Sequence, residues 1–88
     1  MATIVTHTSR LLIAKLDGIE ALILGNKLNV STYCCYHCKR PLNIHSVYYL
    51  AHINRFCCIE CLTECLSYTN PLEDSHFKEC MKTLQKLL

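Results

Sequence analysis

Cys34-Cys35-Tyr36-His37-Cys38 and Phe56-Cys57-Cys58-Ile59-Glu60-Cys61 are the two stretches whose reading decides this fold. A Cys-x2-Cys spacing lets one tight turn aim two thiolates at a single ion, and thiolates hold zinc in a tetrahedron. Cys38 and Cys57 bracket eighteen residues, and Cys65 follows four positions after Cys61. A lone Cys-x2-Cys is weak, whereas two clusters at this separation are a strong metal signal. One pairing takes Cys35, Cys38, Cys57 and Cys61, with the second pair on the first turn of a helix beginning near Phe56. Residues 43–55 then form a β-hairpin, in which Val47-Tyr48-Tyr49-Leu50 has the β-branched and aromatic content of a strand.

A second pairing enlists histidines. Cys35, Cys38, His52 and Cys57, then Cys58, Cys61, His76 and Cys80, both match the spacing of tandem zinc fingers. His76 and Cys80 are four apart on an expected helix and so share one face. A hybrid places Cys35, Cys38, Cys57 and Cys61 at one ion and Cys65, His76 and Cys80 plus one more group at another. The cofactor expected is therefore Zn²⁺, one or two ions. Cys35, Cys38, Cys57 and Cys61 are the leading ligands, while His76, Cys80, Cys58, Cys65 and His52 are alternatives or members of a second site.

The Cys-x2-Cys turn, the Val-Tyr-Tyr-Leu strand and Phe-Cys-x-x-Glu-Cys together resemble the MYM, TRASH and FCS-like group of zinc fingers over residues 33–66. Those families usually carry Phe-Cys-Ser, where this chain has Cys58 after Phe56-Cys57. The resemblance implies a treble clef, in which a knuckle, a hairpin and a helix surround one zinc. The fold class expected is α+β, a small zinc-stabilised treble-clef-like domain with flanking N-terminal and C-terminal helices.

The composition frames this centre. Residues 1–33 contain no cysteine, residues 34–66 hold seven of the eight, and residues 67–88 hold Cys80 alone. These three segments are expected to form a single structural domain. Between Ser9 and Leu24, the residues Leu11, Leu12, Leu16, Ile19, Leu22 and Ile23 fall on one arc of about 140° of a helical wheel. That favours a helix capped by Thr8 or Ser9 and ended at Gly25-Asn26. The alternative is a meander of strands at 11–16, 19–24 and 27–33 turned at Asp17-Gly18 and Gly25-Asn26. Asn70-Pro71-Leu72-Glu73 starts a C-terminal helix running to about Leu87, with Lys82 and Lys86 at the negative end of its dipole.

At 88 residues and 51% apolar, the chain is short of core and needs metal, disulfides or a partner subunit to be secure. The opening residues lack the basic and apolar regions of a secretory signal, and no apolar run reaches the ~18 residues of a membrane span. An intracellular, cytoplasmic or nuclear protein with reduced thiols is expected, and no membrane partner. Leucine supplies 14 residues, and Leu12, Leu16, Ile19, Ile23, Leu84 and Leu87 are the expected partner-binding surface. The function read is a zinc-binding protein–protein interaction or adaptor module, a homodimer being one form of it. A small leucine- and cysteine-rich composition is similar to that of viral accessory proteins acting on host factors.

Nucleic-acid binding is the alternative, through Lys39, Arg40 and Arg55 beside the tyrosines. It is weakened by residues 56–74, which carry four acidic groups and no Lys or Arg, and by the few phosphate contacts three cations make. A small zinc or thiol enzyme is a further alternative, disfavoured by the missing His-x-Glu motif and the little room for a substrate pocket. The chain is therefore read as a non-enzyme.

Overall fold

The computed structural model describes residues 2–7, 11–30, 32–67 and 73–88. Its centre is a four-stranded antiparallel sheet in the order β1 (Thr3–His7), β2 (Leu12–Leu16), β3 (Val47–Leu50), β4 (Arg55–Cys57). Helix α1 (Gly18–Leu28) lies between β2 and β3 in the chain; a 3₁₀ turn (Ile59–Cys61), α2 (Leu62–Cys65) and α3 (Asp74–Gln85) follow β4. The result is a small α+β fold. Among the described residues, no helix is long and apolar enough to cross a membrane.

The expected helix from Ser9 to Leu24 is corrected. Leu12–Leu16 is a strand, pairing Ile13 with Leu50 and Leu16 with Val47, and the helix runs from Gly18 to Leu28. Among the described residues, only the first strand of the alternative meander forms. The physical reason is a capping box at Asp17. Its carboxylate accepts the Glu20 N–H at 2.8 Å, and the Glu20 carboxylate accepts the Asp17 N–H at 3.0 Å, satisfying two of the donors that a helix start exposes. Gly25-Asn26 does not stop the helix; Asn29 does, in the left-handed conformation at φ 58°. The expected caps Thr8, Ser9 and Asn70, with Pro71, lie outside the described residues.

Asp17→Ala is expected to cost about 1 kcal/mol, lowering the thermal midpoint by roughly 4–8 °C for a domain of this size. Thermal unfolding followed by circular dichroism checks it.

Strand alternation sorts the side chains onto two faces. Leu12, Ala14, Leu16, Val47, Tyr49 and Phe56 join Leu24, Leu28, Cys80 and Leu84 in a core beneath α1 and α3. Ile13, Tyr48, Leu50 and Cys57 join Cys35 and Cys65 in a second core. The sheet therefore separates a leucine-rich helical layer from a cysteine-rich one. This placement overturns part of the expected partner surface: Leu12, Leu16 and Leu84 are wholly buried, and Leu87 packs on the core.

Candidate metal centre

The cysteine layer is built by two short devices. The first is the turn at Cys35–Lys39, closed by the Lys39 N–H donating to the Cys35 carbonyl at 3.0 Å. Lys39 takes the left-handed conformation, φ 64°, and bridge pairing between Cys34 and Pro41 holds the base of the turn. The Tyr36 N–H donates to the Phe56 carbonyl at 3.0 Å, fastening the turn to β4. The second device is the change from strand to helix after Cys57. Cys58 ends the extended backbone, with φ −87° and ψ 163°, and the 3₁₀ turn begins at the next residue.

The Sγ atoms of Cys35, Cys38, Cys58 and Cys61 all lie within 4.8 Å of one another. Metal–sulfur bonds of about 2.3 Å in a tetrahedron give sulfur–sulfur edges of about 3.8 Å, and Cys38 and Cys58 are 3.8 Å apart. The four thiols therefore match the donor set and dimensions of a tetrahedral thiolate site. Three of the expected leading ligands, Cys35, Cys38 and Cys61, are brought together here, but the fourth is Cys58 and not Cys57.

The register of β4 explains this placement. The strand continues through Cys57, so Phe56 faces α1 and α3 while Cys57 faces the opposite core. Cys58 and Cys61 then straddle one 3₁₀ turn, and residues three apart meet across it. Cys57 instead forms a disulfide with Cys65, a bond absent from the sequence-based expectation.

The quartet's electrostatics are uneven. Burial opposes ionisation of Cys35, yet backbone N–H groups of Cys38, Cys58 and His37 hold its pKa down at about 6. The Cys38 N–H lies 3.5 Å from its sulfur. Desolvation, then hydrogen bonding to Cys58, Cys38 and Cys35, pushes Cys61 up to about 12. Desolvation and the hydrogen bond to Cys35 also raise Cys58. One thiolate forms readily and its charge opposes the next, a pattern that a bound cation reverses.

The other expected ligands lie elsewhere. His76 and Cys80 do share a face of α3, with Sγ 3.5 Å from Nε2. No third metal-binding side chain completes a group with them among the described residues. They form a hydrogen-bonded clasp instead. His76 Nε2 is 2.9 Å from the Ala51 carbonyl, and Cys80 Sγ is 3.3 Å from the Tyr49 hydroxyl. That hydroxyl donates to Asn54 Oδ1 at 2.6 Å, and Asn54 Nδ2 donates to the Leu28 carbonyl at 3.0 Å. Burial pushes the Cys80 thiol up, as it does the Tyr49 hydroxyl. His52 is buried beside Ala51, outside both thiol groups. Cys65 lies with Cys35 and Cys57 in the second core, whereas Cys80 lies in the first.

The three cations of the nucleic-acid reading have separate settings. Lys39 and Arg40 are exposed on the knuckle, with the Lys39 ammonium 4.7 Å from the centre of the Tyr36 ring. Arg55 is half-buried, and its guanidinium donates to the Asn54 carbonyl at 2.8 Å. Comparison with known proteins finds no matching family model, no matching curated protein and no matching solved structure.

Tyr49→Phe tests the clasp. It leaves the Asn54 carboxamide oxygen without its donor and is expected to cost about 1–3 kcal/mol, read as a lower urea midpoint with an unchanged slope.

Proposed function

We propose that this chain is a zinc-stabilised interaction module, of treble-clef type, whose first partner is a second copy of itself. The observation that carries the reading is an apolar ridge left uncovered by the fold. Ile19, Leu22 and Ile23 project from α1 at helical spacing, and Ile19 is 71% and Ile44 67% exposed. The Gly18 N–H donates to the Ile44 carbonyl at 2.8 Å, which seats Ile44 beside the start of α1. Between them runs a groove of about 430 Å³ lined by Asp17, Gly18, Ile19, Leu22, Ile44 and His45. This reading retains Ile19 and Ile23 as partner contacts and puts Leu22 and Ile44 in place of the buried leucines.

Zinc supports this reading in two ways. A Cys₄ site is closed, with no position for substrate, as structural zinc sites are. Four thiolates with one dication also remove two units from the formal charge of +2, so the loaded protein is near neutral. Little charge then opposes contact between two copies, and little attracts phosphate. An isologous dimer would set one ridge against its symmetry mate.

Sedimentation of the zinc-loaded protein tests this directly. The wild type is expected to sediment as a dimer at tens of micromolar, and Ile19→Glu with Ile44→Glu as a folded monomer whose melting temperature no longer depends on protein concentration. A wild-type monomer at that concentration removes self-association.

A further inference from the structure

Cys35 belongs to two thiol groups at once. Besides the quartet, the Sγ atoms of Cys35, Cys57 and Cys65 lie within 4.8 Å of one another, and all three residues are buried. Cys57 reaches this group because β4 aims it at the cysteine layer, and Cys65 because α2 ends there. Cys35 and Cys57 are 3.9 Å apart, again close to the edge of about 3.8 Å expected of two thiolates on one ion. We propose that Cys35, Cys57 and Cys65 form a second metal site, closed by the Cys57–Cys65 disulfide and opened by its reduction, with the Cys35 thiolate bridging it to the quartet. The bridging clause rests on the quartet holding a metal.

The chemistry is that of shared sulfurs. In the disulfide, Cys57 and Cys65 are bonded to each other and have no thiolate to offer an ion. Two molecules of a low-molecular-weight thiol supply two electrons and two protons and leave joined as their own disulfide, converting the pair to two thiols. The entering ion then displaces the thiol protons. The Cα atoms of Cys57 and Cys65 are 6.9 Å apart, at the wide end of the roughly 4.4–6.8 Å usual for a disulfide. That leaves room for the two sulfurs to part onto one ion. Three buried sulfurs suit a soft d¹⁰ ion. Copper(I) accepts three thiolates alone, while zinc(II) adds a fourth donor from solvent or an exogenous ligand. Oxidation by a low-molecular-weight disulfide, which takes up the two electrons and leaves as two thiols, would rejoin Cys57 to Cys65, expel this second ion and leave the first, so metal content would report the redox poise around the chain.

Native mass spectrometry of the full chain, with zinc(II) or copper(I) as probe, gives the test. The oxidised wild type is expected to hold one ion and the fully reduced wild type two. Cys57→Ser and Cys65→Ser are each expected to hold one under reduction, and Cys34→Ser, which belongs to neither group, to keep two. The wild-type comparison needs no variant to fold. Cadmium-113 NMR of the reduced protein adds a second readout, two resonances mutually coupled through the bridging sulfur. One ion in the reduced wild type with both probes overturns the second site and leaves the quartet standing; none in either redox state overturns both.

Discussion

Cys58→Ser is expected to strip the oxidised protein of its metal, while Cys57→Ser leaves one ion bound. The two residues are adjacent, and spacing alone makes them interchangeable as partners of Cys35, Cys38 and Cys61. The structure does not. Cys58 is 3.8 Å from Cys38 within the quartet, whereas Cys57 is committed to Cys65. A structural zinc contributes roughly 10–16 kcal/mol of apparent binding free energy at neutral pH, against about 5–15 kcal/mol for the whole stability of a typical domain. Losing one of four ligands therefore unfolds the cysteine layer. Metal content by mass spectrometry, with circular dichroism in a strong chelator, separates the variants. Metal loss in Cys57→Ser with retention in Cys58→Ser would reverse the assignment. An unchanged wild-type spectrum in excess chelator would remove the metal from the account of stability.

How far the site could be read from sequence follows from the range of the interactions. The Cys-x2-Cys turn and the strand Val47–Leu50 are local, and both stand where the residues place them. Choosing between Cys57 and Cys58 depends on how far β4 extends, which is decided by its pairing with Tyr48 and Tyr49, contacts that spacing does not encode. Residues 11–24 mislead for a related reason. Their apolar positions satisfy a helical period, yet Leu12, Ala14 and Leu16 also alternate, and pairing with β3 selects the strand. The Asp17-x-x-Glu20 capping box was the available signal for the true helix start. Leu12, Leu16 and Leu84 are expected at the surface and lie buried, because apolarity does not say which face the remaining chain will cover. Ile19 stayed outside because the helix begins one residue earlier and turns it away from the sheet.

Phe56→Ala is expected to be the most damaging change away from sulfur, at about 3–5 kcal/mol. Phe56 is fully buried and occupies the hinge between the two layers. Its ring stacks on Tyr33 at 5.7 Å between centroids and meets Tyr49 edge-on at 5.9 Å. Its carbonyl receives the Tyr36 N–H that fastens the knuckle, and the residues that follow it begin the run of thiols. Removing the ring leaves a void between Tyr33 and Tyr49 that a sheet locked by pairing on β3 cannot close, so the cavity penalty adds to the lost burial. On the thermal scale of a domain this size the loss is roughly 12–40 °C. The quartet lies on the other side of the sheet and keeps its four ligands, so Phe56→Ala is expected to bind metal below its lowered midpoint and release it on unfolding. Cys58→Ser loses both together. Parallel thermal melts with and without added zinc distinguish the two: zinc raises the midpoint of Phe56→Ala by mass action and leaves that of Cys58→Ser where it was. A zinc-insensitive Phe56→Ala would show that the ring, and not the backbone around it, holds the thiols in register.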